Sequence, residues 1–188
     1  MTTLILQSLR LIFVFTVLLG LLYPLAVTGL AHVTFRDQAN GSLIERNGKT
    51  IGSSLIVQPF TDAKYFWPRP SAGSYATVPS GASNLGPTSA ALQSNVVANA
   101  KSFRDAHKLA DDARVPSDMI FTSASGLDPH ISPEAARMQI ARVATARGLG
   151  ADAVNTLVEK FVEPPQLGFL GESRVNVLLL NLALDTNK

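Results

Sequence analysis

The chain of 188 residues has room for one ordinary domain plus a short extra element, not for two full domains. It carries no cysteine, which excludes disulfides and thiolate metal sites, and its 16 Lys and Arg are scattered singly against 14 carboxylates. A net charge of +2 without a clustered basic face gives no reason to expect nucleic acid as a partner.

Charge is spread unevenly along the chain. Residues 11–31 are 21 consecutive positions without a charge, and 16 of them are apolar. All 14 carboxylates and 15 of the 16 Lys and Arg lie beyond that stretch. In hydrocarbon every backbone N–H and C=O needs an internal partner, so a spanning segment is a helix. Such a run at about 1.5 Å per residue reaches roughly 31 Å, the thickness of a bilayer core. Arg10 marks the near edge; Tyr23, His32 and Arg36 mark the far side, and Pro24 falls where a kink is expected. The rival is a secretory signal cleaved after Ala31, within Gly29-Leu30-Ala31, but the run exceeds the roughly 7–15 apolar residues of a signal core. The expectation is a tail (residues 1–10), a transmembrane helix (11–31) and a folded domain (32–188). Arg10 and the amino terminus favour an inside N-terminus, against which Arg36 and Arg46 compete.

Beyond the anchor, Asn47-Gly48 separates Ser42-Leu43-Ile44-Glu45 from Thr50-Ile51-Gly52-Ser53, a hairpin signature because both turn positions need positive φ. Leu55-Ile56-Val57 is expected to continue the second strand. Residues 59–89 hold five Pro, three Gly and five Ser, with Tyr65, Phe66, Trp67 and Tyr75 among them. That composition forms irregular loops, yet it is too aromatic for a plain linker, so an ordered wrap docking its rings on the domain or a partner is expected. Thr88 reads as the N-cap of a helix to about Ala113, with Leu92, Val96, Ala100 and Phe103 on one face. Met119-Ile120-Phe121-Thr122 reads as a short strand.

Ser132-Pro133-Glu134 is a helix start: a capping hydroxyl, Pro in the first turn, and an acid where the helix dipole favours it. This helix should run to Arg147 and stop at Gly148. Asp152 is expected to cap another helix burying Val154, Leu157, Val158 and Phe161, which Pro164-Pro165 ends. Residues 174–185 are almost continuously apolar and predict a central strand, or a strand followed by a short turn of helix. The order of elements predicts an α+β domain behind one N-terminal transmembrane helix.

Few residues suggest chemistry. Ser123, Ser125, Asp128 and His130 lie close in sequence, but triad members are usually distant and no G-x-S-x-G elbow occurs, so a strand-to-helix loop is the better reading. Asp128 and His130 would supply only two metal ligands, and no P-loop is present. Asp111-Asp112 reads as a solvated turn, and Gly148-Leu149-Gly150 as a helix cap. Arg69, held between Pro68 and Pro70 beside Trp67, either clamps a partner's carboxylate or ties down its own loop.

Several segments in order resemble the C subunit of the Kdp high-affinity potassium-transporting ATPase of bacteria. They are Tyr23-Pro24-Leu25; Ala39-Asn40-Gly41-Ser42-Leu43-Ile44; Phe66 with Arg69-Pro70-Ser71-Ala72; Ser83-Asn84-Leu85-Gly86-Pro87-Thr88; residues 125–133; Val175-Asn176-Val177; and Asn181-Leu182-Ala183-Leu184-Asp185. The sequence departs from the family pattern at Val57 and Ala82, where glycine is common, and at Leu179, where an acid is common. The resemblance implies a non-catalytic accessory subunit of the inner membrane, with its N-terminus cytoplasmic and its α+β domain periplasmic. It implies as partners a potassium-binding, channel-like subunit and an ATP-hydrolysing subunit. It further implies a catalytic chaperone that raises the ATP affinity of the hydrolysing subunit, ATP and potassium being handled by the complex. With only residues 1–10 on the cytoplasmic side, coupling through the anchor is the physically accessible route. Candidate partner contacts are Tyr23, Pro24, Trp67, Arg69, Ser125 and Asp128. The alternatives are a membrane-anchored or secreted periplasmic serine hydrolase, or a binding domain.

Overall fold

In a computed structural model, which describes residues 1–186, the chain divides into two compact units, Met1–Ser53 and a second beginning at Ser54. The first unit is dominated by helix α1 (Thr2–Thr34), which is apolar enough to cross a membrane and buries nothing. Its ladder changes step once. Pro24 has no N–H to bond the carbonyl four residues back, and its ring would strike the carbonyl of Gly20. The helix meets this with a π turn at Leu18–Leu22, in which the Tyr23 N–H bonds Leu18 O. Where the kink is expected the ladder widens locally, and the helix reaches past the expected 11–31 span at both ends.

A single helical turn, α2 (Arg36–Ala39), leads to strands β1 (Leu43–Arg46) and β2 (Lys49–Ser53). Asn47 and Gly48 have φ of 54° and 72°, as a two-residue hairpin turn requires. The expected extension of β2 through Leu55–Val57 does not form. Ser53 already pairs with Leu43, the first residue of β1, so no partner backbone remains. Val57 instead donates its N–H to Leu127 O at 3.1 Å and is buried.

The second unit is built around helices α3 (Ala90–His107), α5 (Pro133–Arg147), α6 (Ala151–Lys160) and α7 (Val177–Thr186). A three-stranded antiparallel sheet completes it, in the order β3 (His130–Ile131), β5 (Arg174–Asn176), β4 (Val162–Glu163). The core gathers Phe66, Phe103, Ile131, Val143, Val154, Val158, Val175, Leu180 and Leu184. Mixed helix and strand content matches the expected α+β class.

Helix α5 starts and stops as its sequence dictates: Ser132 Oγ accepts the Ala135 N–H at 3.1 Å, and Gly148 closes the helix at φ 65°. Other boundaries moved. Ser89, not Thr88, caps α3, accepting from Leu92 N. The helix stops at His107 rather than near Ala113, because Lys108 turns left-handed (φ 53°) and Arg104 Nε holds Ala113 O at 2.8 Å. Of its expected apolar face only Phe103 is buried, joined by His107. Gly150, not Asp152, is the N-cap of α6; Asp152 sits in the first turn, and Val154 and Val158 are buried while Leu157 and Phe161 are half-buried. The strand expected over 119–122 is replaced by one helical turn, α4 (Ser117–Ile120). It opens at Pro116, and its Asp118 carboxylate accepts both the N–H and the hydroxyl of Ser132.

At 174–185 the second of the two expected forms occurs, with three residues of strand and ten of helix. Asn176 makes the switch. Its Oδ1 accepts the Leu179 N–H at 3.1 Å, an N-cap that starts α7 inside an apolar run.

Candidate functional site

Residues 59–89 form the expected irregular wrap, and its backbone at residues 63–67 is held by side chains of the helices beneath it. Asn181, 1% exposed, accepts the Phe66 N–H at 2.8 Å and donates to Phe66 O at 3.0 Å. Gln139, 0% exposed, does the same for Trp67, at 2.7 and 3.2 Å. Two buried amides therefore act as a neighbouring strand would, clamping consecutive residues of an extended segment. Arg142 donates to Ala63 O, Tyr65 O, Gln139 Oε1 and His107 Nε2 at 2.6 to 3.0 Å. Arg147 donates to Lys64 O, Leu184 O and Asp185, which also accepts the Tyr65 hydroxyl.

Trp67 sits among these ties. The Arg142 guanidinium lies 4.1 Å from its ring centre, His107 meets it edge-on at 5.5 Å, and its indole N–H reaches Asp62 O. Much of the ring is thus held by contacts inside the domain. The remaining surface lines a pocket of about 260 Å³ with Phe60, Pro68, Pro70, Tyr75 and Met119. Burial holds His107 neutral, pushing it down to about 4, against the hydrogen bond it gives Phe103 O and with help from the Arg142 charge. Both ring nitrogens are committed: Nδ1 donates to Phe103 O and Nε2 accepts from Arg142. Burial also lowers Arg142 to about 10, offset in part by Asp62, so it stays cationic at neutral pH.

The second tie answers the question left open at Arg69. Its Nη1 meets Asp128 Oδ2 at 2.8 Å within the domain. Asp128 Oδ1 accepts the His130 N–H at 3.0 Å, with His130 Nδ1 at 3.5 Å. Burial would raise the Asp128 carboxyl, but hydrogen bonds from His130 and Arg69 outweigh it and hold it below the ordinary value. Arg69 Nε is buried without a partner among the described residues. Ser125 accepts its own loop's Leu127 N–H at 3.1 Å and accepts Ser80 Oγ on its carbonyl. Among the described residues no serine hydroxyl bonds the His130 ring, and no group of three or more His, Cys, Asp or Glu is placed to hold a metal. The hydrolase alternative finds no nucleophile–base pair here. Asp128→Asn is expected to cost about 1–3 kcal/mol of domain stability, because it leaves a half-buried guanidinium short of its charge partner. Denaturation followed by fluorescence of Trp67, the sole tryptophan, measures this.

Two features face outward. Tyr23 and Pro24 lie fully on the exposed surface of α1, where Tyr23 is 63% exposed. The other was not foreseen. Between β4 and β5 the chain turns at Gln166-Leu167-Gly168-Phe169, where Leu167 and Gly168 both have positive φ (54° and 82°). Gln166 and Leu170 exchange backbone hydrogen bonds at 3.0 and 2.9 Å, and Phe169 N bonds Gln166 O at 3.2 Å. A left-handed leucine costs about 1–2 kcal/mol, and glycine or asparagine normally takes that position. The sequence signal was an apolar Leu-Gly-Phe-Leu string that no predicted element used.

The family description "K+-transporting ATPase, c chain" (KdpC) matches residues 5–186. The chain is 51% identical over 183 residues to the potassium-transporting ATPase KdpC subunit of Geobacter sulfurreducens, covering 95% of each. It is 57% identical over 172 residues to that of Rhodospirillum rubrum, covering 90% of this chain and 89% of the relative. Against the subunit of Polaromonas naphthalenivorans the identity is 54% over 187 residues, covering 96% and 93%. With the match running through helix α1, the wrap and α7 alike, the chain belongs to the KdpC family, the C-chain family of K+-transporting ATPases.

Proposed function

We propose that the chain is the accessory, non-catalytic C subunit of a bacterial ATP-driven potassium uptake complex, anchored in the inner membrane by residues 11–31. The amino terminus lies in the cytoplasm and residues 32–188 in the periplasm. The observation that carries this reading is the family match over residues 5–186, which takes in anchor and domain together. Helix Thr2–Thr34, which contains an 18-residue window of mean hydropathy 2.4 with none of it buried, supports membrane anchoring. The relatives' names refer to a potassium-transporting ATPase, so the companions are subunits that conduct potassium and hydrolyse ATP.

In this assembly the subunit raises the ATP affinity of the hydrolysing subunit from a distance. Only residues 1–10 share the nucleotide's compartment, and the sequence has no phosphate-cradling loop. The effect therefore reaches the ATP site as a coupling free energy through the membrane helix, about 1–3 kcal/mol or 5–150-fold in affinity. Steady-state ATPase assays of complexes with and without the subunit test this. The expected result is a KM for ATP raised by about 5–150-fold without it, at similar kcat. An unchanged KM would leave the subunit a purely assembling role.

A further inference from the structure

We propose that the Gln166–Leu170 turn is a preformed knob that inserts Leu167 and Phe169 into an apolar pocket of a companion protein subunit, on the side of the membrane where the domain lies. The inference rests on the assembly proposed above and adds the contact through which it is made. Leu167 is 82% exposed, Phe169 74% and Leu170 49%, so burial within this chain does not explain three large apolar side chains at one tip. Local backbone preference does not explain them either, since Leu167 occupies a left-handed position (φ 54°) that asparagine or glycine would take without strain. A strained leucine that is 82% exposed points to something outside the chain.

The remaining chemistry of the hairpin favours a protein over lipid. Backbone bonds between Gln166 and Leu170 fix where the side chains point, which aids entry into a shaped pocket but is unneeded in a fluid bilayer. Residues 164–171 carry no charge, and Glu172 follows directly. The hairpin's one base, Arg174, is engaged by Glu163 at 2.9 Å. Surface-seeking loops recruit anionic lipid with bases, and this tip offers a lone carboxylate instead. The fitting partner is an apolar pocket with a lysine or arginine at its rim facing Glu172.

Because the chain has no cysteine, Leu167→Cys takes a benzophenone maleimide at one site of this chain in membranes from cells making all subunits, the unsubstituted chain in the same membranes controlling for label on other thiols. The expected result is a photo-adduct between this chain and a companion subunit, absent for the same label at Gln93→Cys on α3. Leu167→Asn separates folding from docking: it suits the turn, so the isolated subunit keeps or gains thermal stability. Recovery of companion subunits with it should fall about tenfold under detergent. Adducts with lipid only, with a second copy only, or none at all while the subunits still co-purify would overturn the knob and leave the assembly standing. A less stable Asn variant would likewise overturn it, by placing Leu167 in the domain's own packing. Failure of the unmodified chain to co-purify with any companion would remove the assembly and this inference together.

Discussion

Asn181→Leu should detach the wrap from the domain and cost roughly 2–6 kcal/mol of stability. The substitution is close to isosteric and keeps the site apolar, so volume is not the issue. It leaves the N–H and C=O of Phe66, a residue 0% exposed, both without partners. Each orphaned buried group costs about 1–3 kcal/mol, whereas a neutral swap would require both partners to change together. Gln139→Met acts alike one residue along, at Trp67. Trp67 fluorescence during denaturant unfolding reads the loss directly, and limited proteolysis within residues 59–80 reads the detachment. If Asn181→Leu unfolds with an unchanged midpoint, the amide clamps are incidental.

The second large effect is a pH dependence set by His107. Its folded value of about 4 lies below the ordinary 6.5, because burial opposes charge and Arg142 occupies the acceptor nitrogen. Between those values the unfolded chain binds a proton that the folded chain does not, so stability is full above about pH 6.5 and falls as pH drops toward 4. The loss amounts to at most about 3 kcal/mol and levels off below that. Asp128 behaves differently: its carboxyl is held low, so its contribution survives through this window and fades only on acidification below its ordinary value of 3.8. His107→Gln, which can still accept from Arg142, should flatten the slope between pH 6.5 and 4. A slope that persists in the variant would assign the titration elsewhere.

How much of this was legible in the sequence follows from where each signal lives. The anchor, the Asn47-Gly48 hairpin and helix α5 rest on local chemistry: an uncharged run, a positive-φ turn pair, and a hydroxyl cap with a closing glycine. The uncharged run forms one long apolar helix, and the hairpin and α5 form where expected. Boundaries that depend on tertiary partners do not. Leu55-Ile56-Val57 has the composition of a strand, but β1 had no residue left to pair with it. Residues 119–122 likewise have strand propensity, overridden by Pro116 and by the Asp118 carboxylate tied to Ser132. Asn176 is a readable cap, yet Val175 before it and the long apolar run after it hide it.

The candidate site divides in the same way. Arg69 and Asp128 stand out in the sequence, and in the fold they pair with each other. Their separation of 59 residues is a tertiary fact that no spacing rule announces. The amides of Gln139 and Asn181 were invisible because a buried amide inside a helix looks like any polar surface residue until its partner is known. His107 carries no local signal either, since the Arg142 that binds it lies 35 residues away on another helix. Leu167 carried a readable signal, an apolar side chain where turn chemistry wants asparagine, but only the backbone angle gives it meaning.

The central claim is a membrane-embedded accessory subunit of a potassium-transporting ATPase. Detergent extraction of native membranes from cells expressing the whole complex, followed by purification on this chain and intact-mass identification of what accompanies it, tests that claim most directly. The account predicts the chain from Met1 onward, in fixed proportion to much larger hydrophobic subunits. A polypeptide beginning at His32 and recovered alone from the aqueous fraction would contradict it.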